Sequence, residues 1–480
     1  MPDPASDLPA SLHARLGALL GDSGLLTDPA DIAPFCTDWR GLYHGRALAV
    51  LRPSDTARVA ECVRLCGAAG IGIVPQGGNT SMVGGASPHE DGGEVVLSLS
   101  RMNRIRELDP ADMTLTVEAG VTLKAAQEAA EAADCKLPLS ISAEGSAQIG
   151  GVLATNAGGN NTVRYGNARE LTLGIEAVLA DGRVLHGLRR LRKDNTGYAL
   201  RHLLVGSEGT LGIITAAVLQ LVPRPRSLEV ALCALPSPQA ALELFIRLRN
   251  TDPAAIQAFE FMSGASLGLV TGLIEGVSLP LAGPAPCYAL IELAAARAGA
   301  PLRALLEEVL ASCLEEELVL DAVIAESGAQ QAALWRLREE HSEAQKRAGA
   351  SVKNDVSVPV SRVPELIARA TQACEQLIPG VRAAPFGHLG DGNIHFNLVQ
   401  PEGMAAGAFL ARSEEIMHTV AEVVRALDGS PSAEHGIGRL KPAMMESWRG
   451  GAELDAMRRI KDALDPHGLL NPGKLLPPAR

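Results

Sequence analysis

The 480-residue sequence predicts an α+β protein of two or three domains. Three observations carry that prediction. Short strand-like runs interleave with helical patterns along the whole chain. Glycine, at 49 residues, makes up about a tenth of the chain against a usual ~7%, and its informative members gather in three loops. Midway, Pro223-Arg224-Pro225-Arg226 places two prolines in four residues and reads as a linker.

Taken in order, residues 1–45 read as an N-terminal helical segment. Ser54-Asp55 then starts a helix in which Val59, Cys62, Val63 and Cys66 recur at i, i+3, i+4 and i+7, the spacing of a buried stripe. Ile71 to Pro75 is a strand-like run that ends in a glycine loop. Further strands are expected at Glu94–Leu99, Thr114–Val117, Leu173–Leu179 and Leu211–Val222, with helices at Leu123–Ala133 and Tyr198–Leu204. These elements form a first domain over 46–224. A second domain over 225–430 has strand-like runs near Leu228–Ala234, Ile256–Phe261, Tyr288–Leu293 and Leu318–Ala325. Long Ala/Leu/Glu-rich helices separate them, which predicts a mostly antiparallel sheet backed by helices. Residues 431–480 form a helical segment ending in Asn471-Pro472-Gly473-Lys474, and no fixed-period repeat occurs.

Composition removes several function classes. A net charge of −12 lacks the Lys/Arg excess that phosphate-backbone binding requires, so nucleic acid is not an expected partner. No run reaches the roughly 18 apolar residues of a spanning helix. Met1 to Ala10 shows neither a signal peptide nor an anchor. The eight cysteines include no Cys-x-x-Cys pair and read as reduced thiols, so a cytoplasmic location is expected.

The glycine loops are Pro75–Gly85, Gly145–Gly159 and Gly206–Gly212. Glycine permits positive φ and lets backbone N–H groups approach an anion, so three such loops in one domain suit a pyrophosphate. The Gly-x-G-x-x-Gly and Gly-x-x-x-x-Gly-Lys-Ser/Thr spacings are both absent, which disfavours a nicotinamide Rossmann site and a nucleotide triphosphatase.

In order and spacing these loops resemble the FAD domain of the vanillyl-alcohol oxidase and p-cresol methylhydroxylase superfamily, in particular its D-2-hydroxyglutarate and D-lactate dehydrogenase branch. The likeness runs from about Ala47 to Pro472. It implies a two-part FAD-binding domain, an α+β substrate domain and a C-terminal segment completing the active site. It also implies that Gln76, Gly77, Gly78, Asn79 and Thr80 hold the FAD diphosphate, with Pro75, Gly84 and Gly85 in the same loop. Ser146, Ile149, Gly150, Gly151, Asn156, Glu208 and Gly209 would line the adenosine and isoalloxazine, with Asn471 near the flavin ring. Glu144, Gly145, Gly158 and Ile214 complete the implied contacts. Two departures stand out: Ser81 where relatives often carry Gly, and Asn160-Asn161 after the Ala-Gly-Gly. Pro75–Gly85 offers no His or Cys for covalent attachment, so the flavin is expected to be dissociable.

A second constellation lies in Gly387–Leu398. Asp391-Gly392 is a turn signal between two strand-like arms, and the turn can bring His388 across from His395. His395 and Asn397 should share one face. Glu434 and His435 follow about forty residues later. Taken singly, each histidine reads as an ordinary hydrogen-bonded residue. Two His plus one carboxylate suits zinc with open positions, although manganese, cobalt or iron could use the same ligands. The resemblance implies that His388, His395 and Glu434 bind the metal and that His435 is the general base. Lewis-acid assistance to a hydroxyl, a histidine base and hydride transfer to flavin together describe oxidation of a D-2-hydroxy acid to the 2-oxo acid.

Arg338 and Ser342 lie at i and i+4 of a helical pattern, and Lys353 lies in an alternating run. Exposed Arg and Lys are usually solvated. The resemblance makes Arg338, Ser342, Lys353, Asn397 and His435 substrate contacts, with Ser342 in place of the usual Thr and Asn354 in place of the usual Tyr. A metal can neutralise one carboxylate, so a separate Arg and Lys favour a second one. D-2-hydroxyglutarate is therefore expected, with D-malate as a shorter fit. The alternatives are a D-lactate or glycolate dehydrogenase, a flavin-dependent transferase and a non-catalytic flavin scaffold. The expected electron acceptor is electron-transferring flavoprotein or a quinone, and the default assembly is a homodimer.

Overall fold

The structure, a computed structural model, describes residues 8–478; Met1–Asp7 of the expected N-terminal segment and the last two residues of the C-terminal one lie outside it. The chain forms two compact units. Of the described residues, the first comprises 8–158, 166–224 and 434–478, and the second 159–165 and 225–433. The main crossing falls between Arg224 and Pro225, inside the proline-rich stretch.

In the first unit, a four-stranded sheet runs Leu25–Leu26, Ala47–Leu51, Glu94–Ser98, Gly72–Gln76, with the last three strands parallel. Its parallel strands need a covered face, and the helix Thr56–Ala68 helps supply it. Val59, Cys62, Val63 and Cys66 of that helix are fully buried, as their spacing predicts. Asp55 caps the helix by accepting the Arg58 N–H at 2.9 Å. A second, antiparallel sheet runs Ile105–Asp109, Thr114–Glu118, Ile213–Gln220, Thr172–Val178, Val184–Gly187. The helix expected over Tyr198–Leu204 forms only at Arg201–Leu204. Tyr198 is 94% exposed and follows Gly197 at φ +102°, so nothing packs to extend the helix backwards.

The second unit is built on a seven-stranded antiparallel sheet. Its order is Asp321–Ile324, Ser227–Leu235, Cys287–Ala295, Ile256–Ser263, Phe386–His388, Asn393–His395, Asp355–Ser357. Cys287–Ala295 and Ile256–Ser263 are buried along nearly their whole lengths, so both sheet faces are covered, with helices Pro238–Thr251, Gly264–Leu273 and Leu302–Glu315 packed on them. A small antiparallel sheet joins Ser351–Val352, Leu398–Val399 and Arg382–Ala383. Among the described residues no helix is long and apolar enough to cross a membrane, and all eight cysteines are free and buried.

Candidate active site

In the first unit the three glycine loops converge. Gly78 approaches the second loop so closely that a Cβ there would lie 1.9 Å from the Ser146 carbonyl oxygen, which is why this position excludes any side chain. The third loop docks on the second through the Glu208 N–H, which donates to the Ala154 carbonyl at 2.8 Å. Asn471 closes the group, its Nδ2 donating to the carbonyls of Gly85 at 2.9 Å and Glu208 at 2.7 Å. Asn79, Asn156, Glu208 and Asn471 all take left-handed φ angles of 53°, 51°, 51° and 44°, conformations that cost energy for non-glycine residues and concentrate at ligand-binding loops.

Several predicted contact side chains brace the loops themselves. Gln76 Nε2 donates to the carbonyls of Phe35 and Ala86, and Asn79 Nδ2 to that of Thr37. Ser81, the departure from glycine, uses its hydroxyl to accept the Gly85 N–H at 3.1 Å, so it closes the turn. Asn156 Oδ1 accepts from the Arg169 N–H at 2.9 Å, and Glu144 from Gln127. Ile214 is buried in its strand, while Gly145 and Ser146 are exposed. Two buried acceptors, Gln148 Oε1 and Asn471 Oδ1, have no protein donor. Orphaned acceptors beside a glycine cradle fit a ligand carrying N–H and O–H groups, such as FAD.

Glu208 also organises the segment that begins at Glu434. Its buried carboxylate accepts the N–H groups of Ile437 at 2.8 Å and Gly438 at 2.7 Å. Gly436, at φ +81°, lies against it: a Cβ there would sit 2.8 Å from Glu208 Oε1. Burial pushes the Glu208 carboxyl above its ordinary range, with the two N–H donors and Lys441 opposing. Glu434 and His435, just before this turn, are half-buried.

In the second unit, Phe386–His388 and Asn393–His395 form the predicted hairpin, turned by a 3₁₀ segment at Leu389–Asp391 with Gly392 left-handed. The register sets His388 opposite Asn393 and His395 opposite Phe386, so the two imidazoles are diagonal neighbours with ring centroids 5.5 Å apart. Each faces a buried carboxylate through Nδ1. His388 Nδ1 donates to Glu260 Oε1 at 2.8 Å, and His395 Nδ1 lies 3.4 Å from Asp355 Oδ1. A carboxylate hydrogen-bonded to Nδ1, as at His388, fixes the tautomer that offers Nε2 as a ligand nitrogen, the usual support of metal-binding histidines. The donor set therefore fits a divalent transition metal.

Arg338 is buried beside this pair. Its Nε donates to Glu260 Oε2 at 2.7 Å, and its guanidinium carbon stands 4.8 Å from the centre of the Phe386 ring. Nη1 and Nη2 meet no acceptor among the described residues. Burial alone would raise the Glu260 carboxyl, but the charges and hydrogen bonds of His388 and Arg338 outweigh it and hold it below the ordinary carboxylate range. Removing one partner of such a buried pair costs about 3–5 kcal/mol. Arg338 therefore has a counter-charge in Glu260 before any substrate carboxylate arrives.

The other predicted substrate residues divide. The helix expected to carry Arg338 and Ser342 on one face is interrupted at Glu340: Arg338 lies in the last turn of Gly328–Glu339, whereas Ser342 lies in the first turn of His341–Ala348 and is exposed. Lys353 is half-buried where the chain passes from one sheet to another, between Ser351–Val352 and Asp355–Ser357. Asn354 holds that crossover through Nδ2 to the Phe396 carbonyl at 3.0 Å. Asn397 is buried and donates from Nδ2 to Gln345 Oε1 at 2.8 Å.

Comparison with known proteins shows the family. Residues 47–187 match the FAD binding domain family and 224–475 the C-terminal domain of FAD linked oxidases. The chain is 40% identical to D-2-hydroxyglutarate dehydrogenase of Xanthomonas citri pv. viticola over 94% of each chain. It is 38% identical to the mitochondrial D-2-hydroxyglutarate dehydrogenase of Bos taurus, covering 94% of this chain and 81% of that one. A putative mitochondrial D-lactate dehydrogenase of Schizosaccharomyces pombe is 36% identical over 97% of this chain and 88% of its own length. This chain belongs to the FAD-dependent D-2-hydroxyacid dehydrogenases. Its fold is that of p-cresol methylhydroxylase, whose substrate-bound crystal structure aligns at TM-score 0.75 with 17% identity over 98% of both chains. As a member of the FAD-dependent D-2-hydroxyacid dehydrogenases it is a flavoenzyme that oxidises a hydroxy acid.

Sequence reasoning missed three residues that hold predicted site side chains: Glu260, Asp355 and Gln345. Glu260 left a trace, since Ala258-Phe-Glu-Phe-Met262 sets one carboxylate in the middle of an apolar strand. Asp355 and Gln345 left none.

Proposed function

We propose that the enzyme oxidises D-2-hydroxyglutarate to 2-oxoglutarate, with D-malate as a shorter substrate. The observation that carries this reading is the Nη edge of Arg338, which meets no acceptor among the described residues while Nε is held by Glu260 and the guanidinium packs on Phe386. A guanidinium fixed on one side in this way can grip a distal carboxylate bidentately. Relatives named for D-2-hydroxyglutarate support it.

In this reading Gln76–Thr80, Ser146, Ile149–Gly151, Asn156, Glu208–Gly209 and Asn471 hold FAD without a covalent bond. When bound, FAD supplies the two-electron acceptor that oxidation of an alcohol to a ketone requires. His388, His395 and, one residue beyond the second unit along the chain, Glu434 are the proposed ligands of a divalent ion, zinc by donor chemistry. Such an ion would act as a Lewis acid that lowers the pKa of the substrate hydroxyl. His435 takes the hydroxyl proton as general base. Lys353 adds charge for the distal carboxylate, and Asn397 orients the substrate through an amide that Gln345 keeps in one rotamer. Electrons pass onward to electron-transferring flavoprotein or a quinone.

D-lactate is the second reading. It is favoured by the neutralisation of Arg338 by Glu260 and by the relative named for that substrate. Arg338→Ala separates the two. With an artificial electron acceptor, kcat/KM for D-2-hydroxyglutarate is expected to fall about 100-fold, the worth of a charged bidentate contact, and that for D-lactate by less than about 3-fold. Equal losses on both substrates contradict the dicarboxylate reading.

A further inference from the structure

Glu260 joins two of the predicted site side chains. It lies in the strand Ile256–Ser263, directly across from His388 in the sheet register, and is fully buried. Its two carboxylate oxygens have different partners: Oε1 accepts from His388 Nδ1 at 2.8 Å and Oε2 from Arg338 Nε at 2.7 Å. Asp355, the corresponding carboxylate beside His395, also accepts from Asn393 Nδ2 at 2.9 Å. One carboxylate thus joins a histidine on a sheet hairpin to an arginine on a helix 50 residues earlier in the chain, at residues 388 and 338.

We propose that Glu260 is a positioning residue that sets metal affinity and dicarboxylate selectivity together, by locking the His388 ring and the Arg338 guanidinium into one rigid arrangement. The inference rests on the roles given above to His388 and Arg338. The chemistry demands a carboxylate. Only an acceptor-only group can take an N–H on each oxygen at once, whereas an amide would turn a donor toward one of the two donors. Through Oε1 it keeps the Nδ1–H tautomer of His388, which leaves Nε2 as the nitrogen with a lone pair for a metal. Through Oε2 it restrains Arg338 from rotating about its long side chain, so the Nη edge keeps its aim with less ordering cost on binding.

The test uses the full-length holoenzyme and its Glu260→Gln and Glu260→Asp variants, each alone and combined with Arg338→Ala. Zinc affinity is read by competition with a chromophoric chelator, and selectivity as the ratio of kcat/KM for D-2-hydroxyglutarate to that for D-lactate at saturating zinc. Glu260→Gln is expected to bind zinc about 10-fold to 100-fold more weakly, the usual loss for such a supporting group. Its selectivity ratio should fall about 10-fold, and that fall should vanish in the Arg338→Ala background, where there is no guanidinium left to aim. Glu260→Asp keeps the charge but is one methylene short, so it should show smaller losses in the same two readouts. It serves as the decisive variant should Glu260→Gln not fold. Unchanged zinc affinity, or a loss of activity equal on both substrates that persists with Arg338→Ala, would overturn the proposal and leave Glu260 a plain structural residue. The wild-type enzyme tests the underlying reading separately: zinc that is not retained, or a preference for D-lactate, removes the corresponding role of His388 or Arg338 before any variant is considered.

Discussion

The two units of this dehydrogenase prepare their chemistry by different means. The first does so with backbone: Gly78 pressed on the Ser146 carbonyl, left-handed Asn79, Asn156, Glu208 and Asn471, and side chains such as Gln76 spent on bracing loops. The second does so, in the proposed reading, with side chains: His388, His395 and Arg338 each lie against a buried carboxylate carried on a different element. A backbone cradle depends on where a Cβ can fit, and a side-chain constellation on which charges stay paired once water is excluded. The two should therefore fail differently when altered.

The largest expected effect breaks the backbone side of that contrast. Gly78→Ala forces a Cβ against the Ser146 carbonyl, a contact that requires the loops to separate. The purified variant should lose nearly all its flavin, measured as the ratio of flavin to protein absorbance, while still retaining zinc. Full flavin occupancy would show that the first and second loops do not form the cradle.

A smaller effect sharpens the side-chain part. His341 is fully buried, stacked on Phe386 with centroids 4.6 Å apart, and its Nδ1 lies 2.8 Å from the Ser266 hydroxyl. Burial first, and the Arg338 charge second, push its imidazole well below the usual histidine range, so the folded state keeps it neutral. Below an unfolded-state value of about 6.5 the unfolded chain takes up a proton that the folded chain refuses. The stability present above that pH is then lost as pH falls, by up to about 1.4 kcal/mol per pH unit from this one group. Melting curves at pH 7.5 and 5.5 should show a steeper acid loss for the wild type than for His341→Phe. Equal slopes would mean the ring is protonated in the folded state.

The same contrast explains what the sequence revealed. Glycine loops are contiguous, so Gly77-Gly78, Gly150-Gly151 and Gly209 announce themselves within a few residues each. The strands Thr114–Glu118, Ile213–Gln220, Ser227–Leu235 and Cys287–Ala295 were legible for a related reason, since long apolar runs carry their own signal. The His388–His395 hairpin could be read from one turn and its alternation. Nothing local couples Glu260 to Arg338 and His388, because that carboxylate is 78 residues from one partner and 128 from the other. Tertiary packing also decided the interruption at Glu340 and the change of sheet at Lys353-Asn354. There, helical period and strand alternation each predicted a single unbroken element.

The proposed reaction joins flavin, a divalent ion and a dicarboxylic hydroxy acid. It is tested most directly by anaerobic titration of the flavin absorbance with D-2-hydroxyglutarate, D-malate and D-lactate, before and after chelation. Bleaching by D-2-hydroxyglutarate at the lowest concentration, then D-malate, slowed at least about 100-fold by chelation and restored by zinc, is the predicted result. Bleaching that is as ready with D-lactate, or indifferent to chelation, would contradict it.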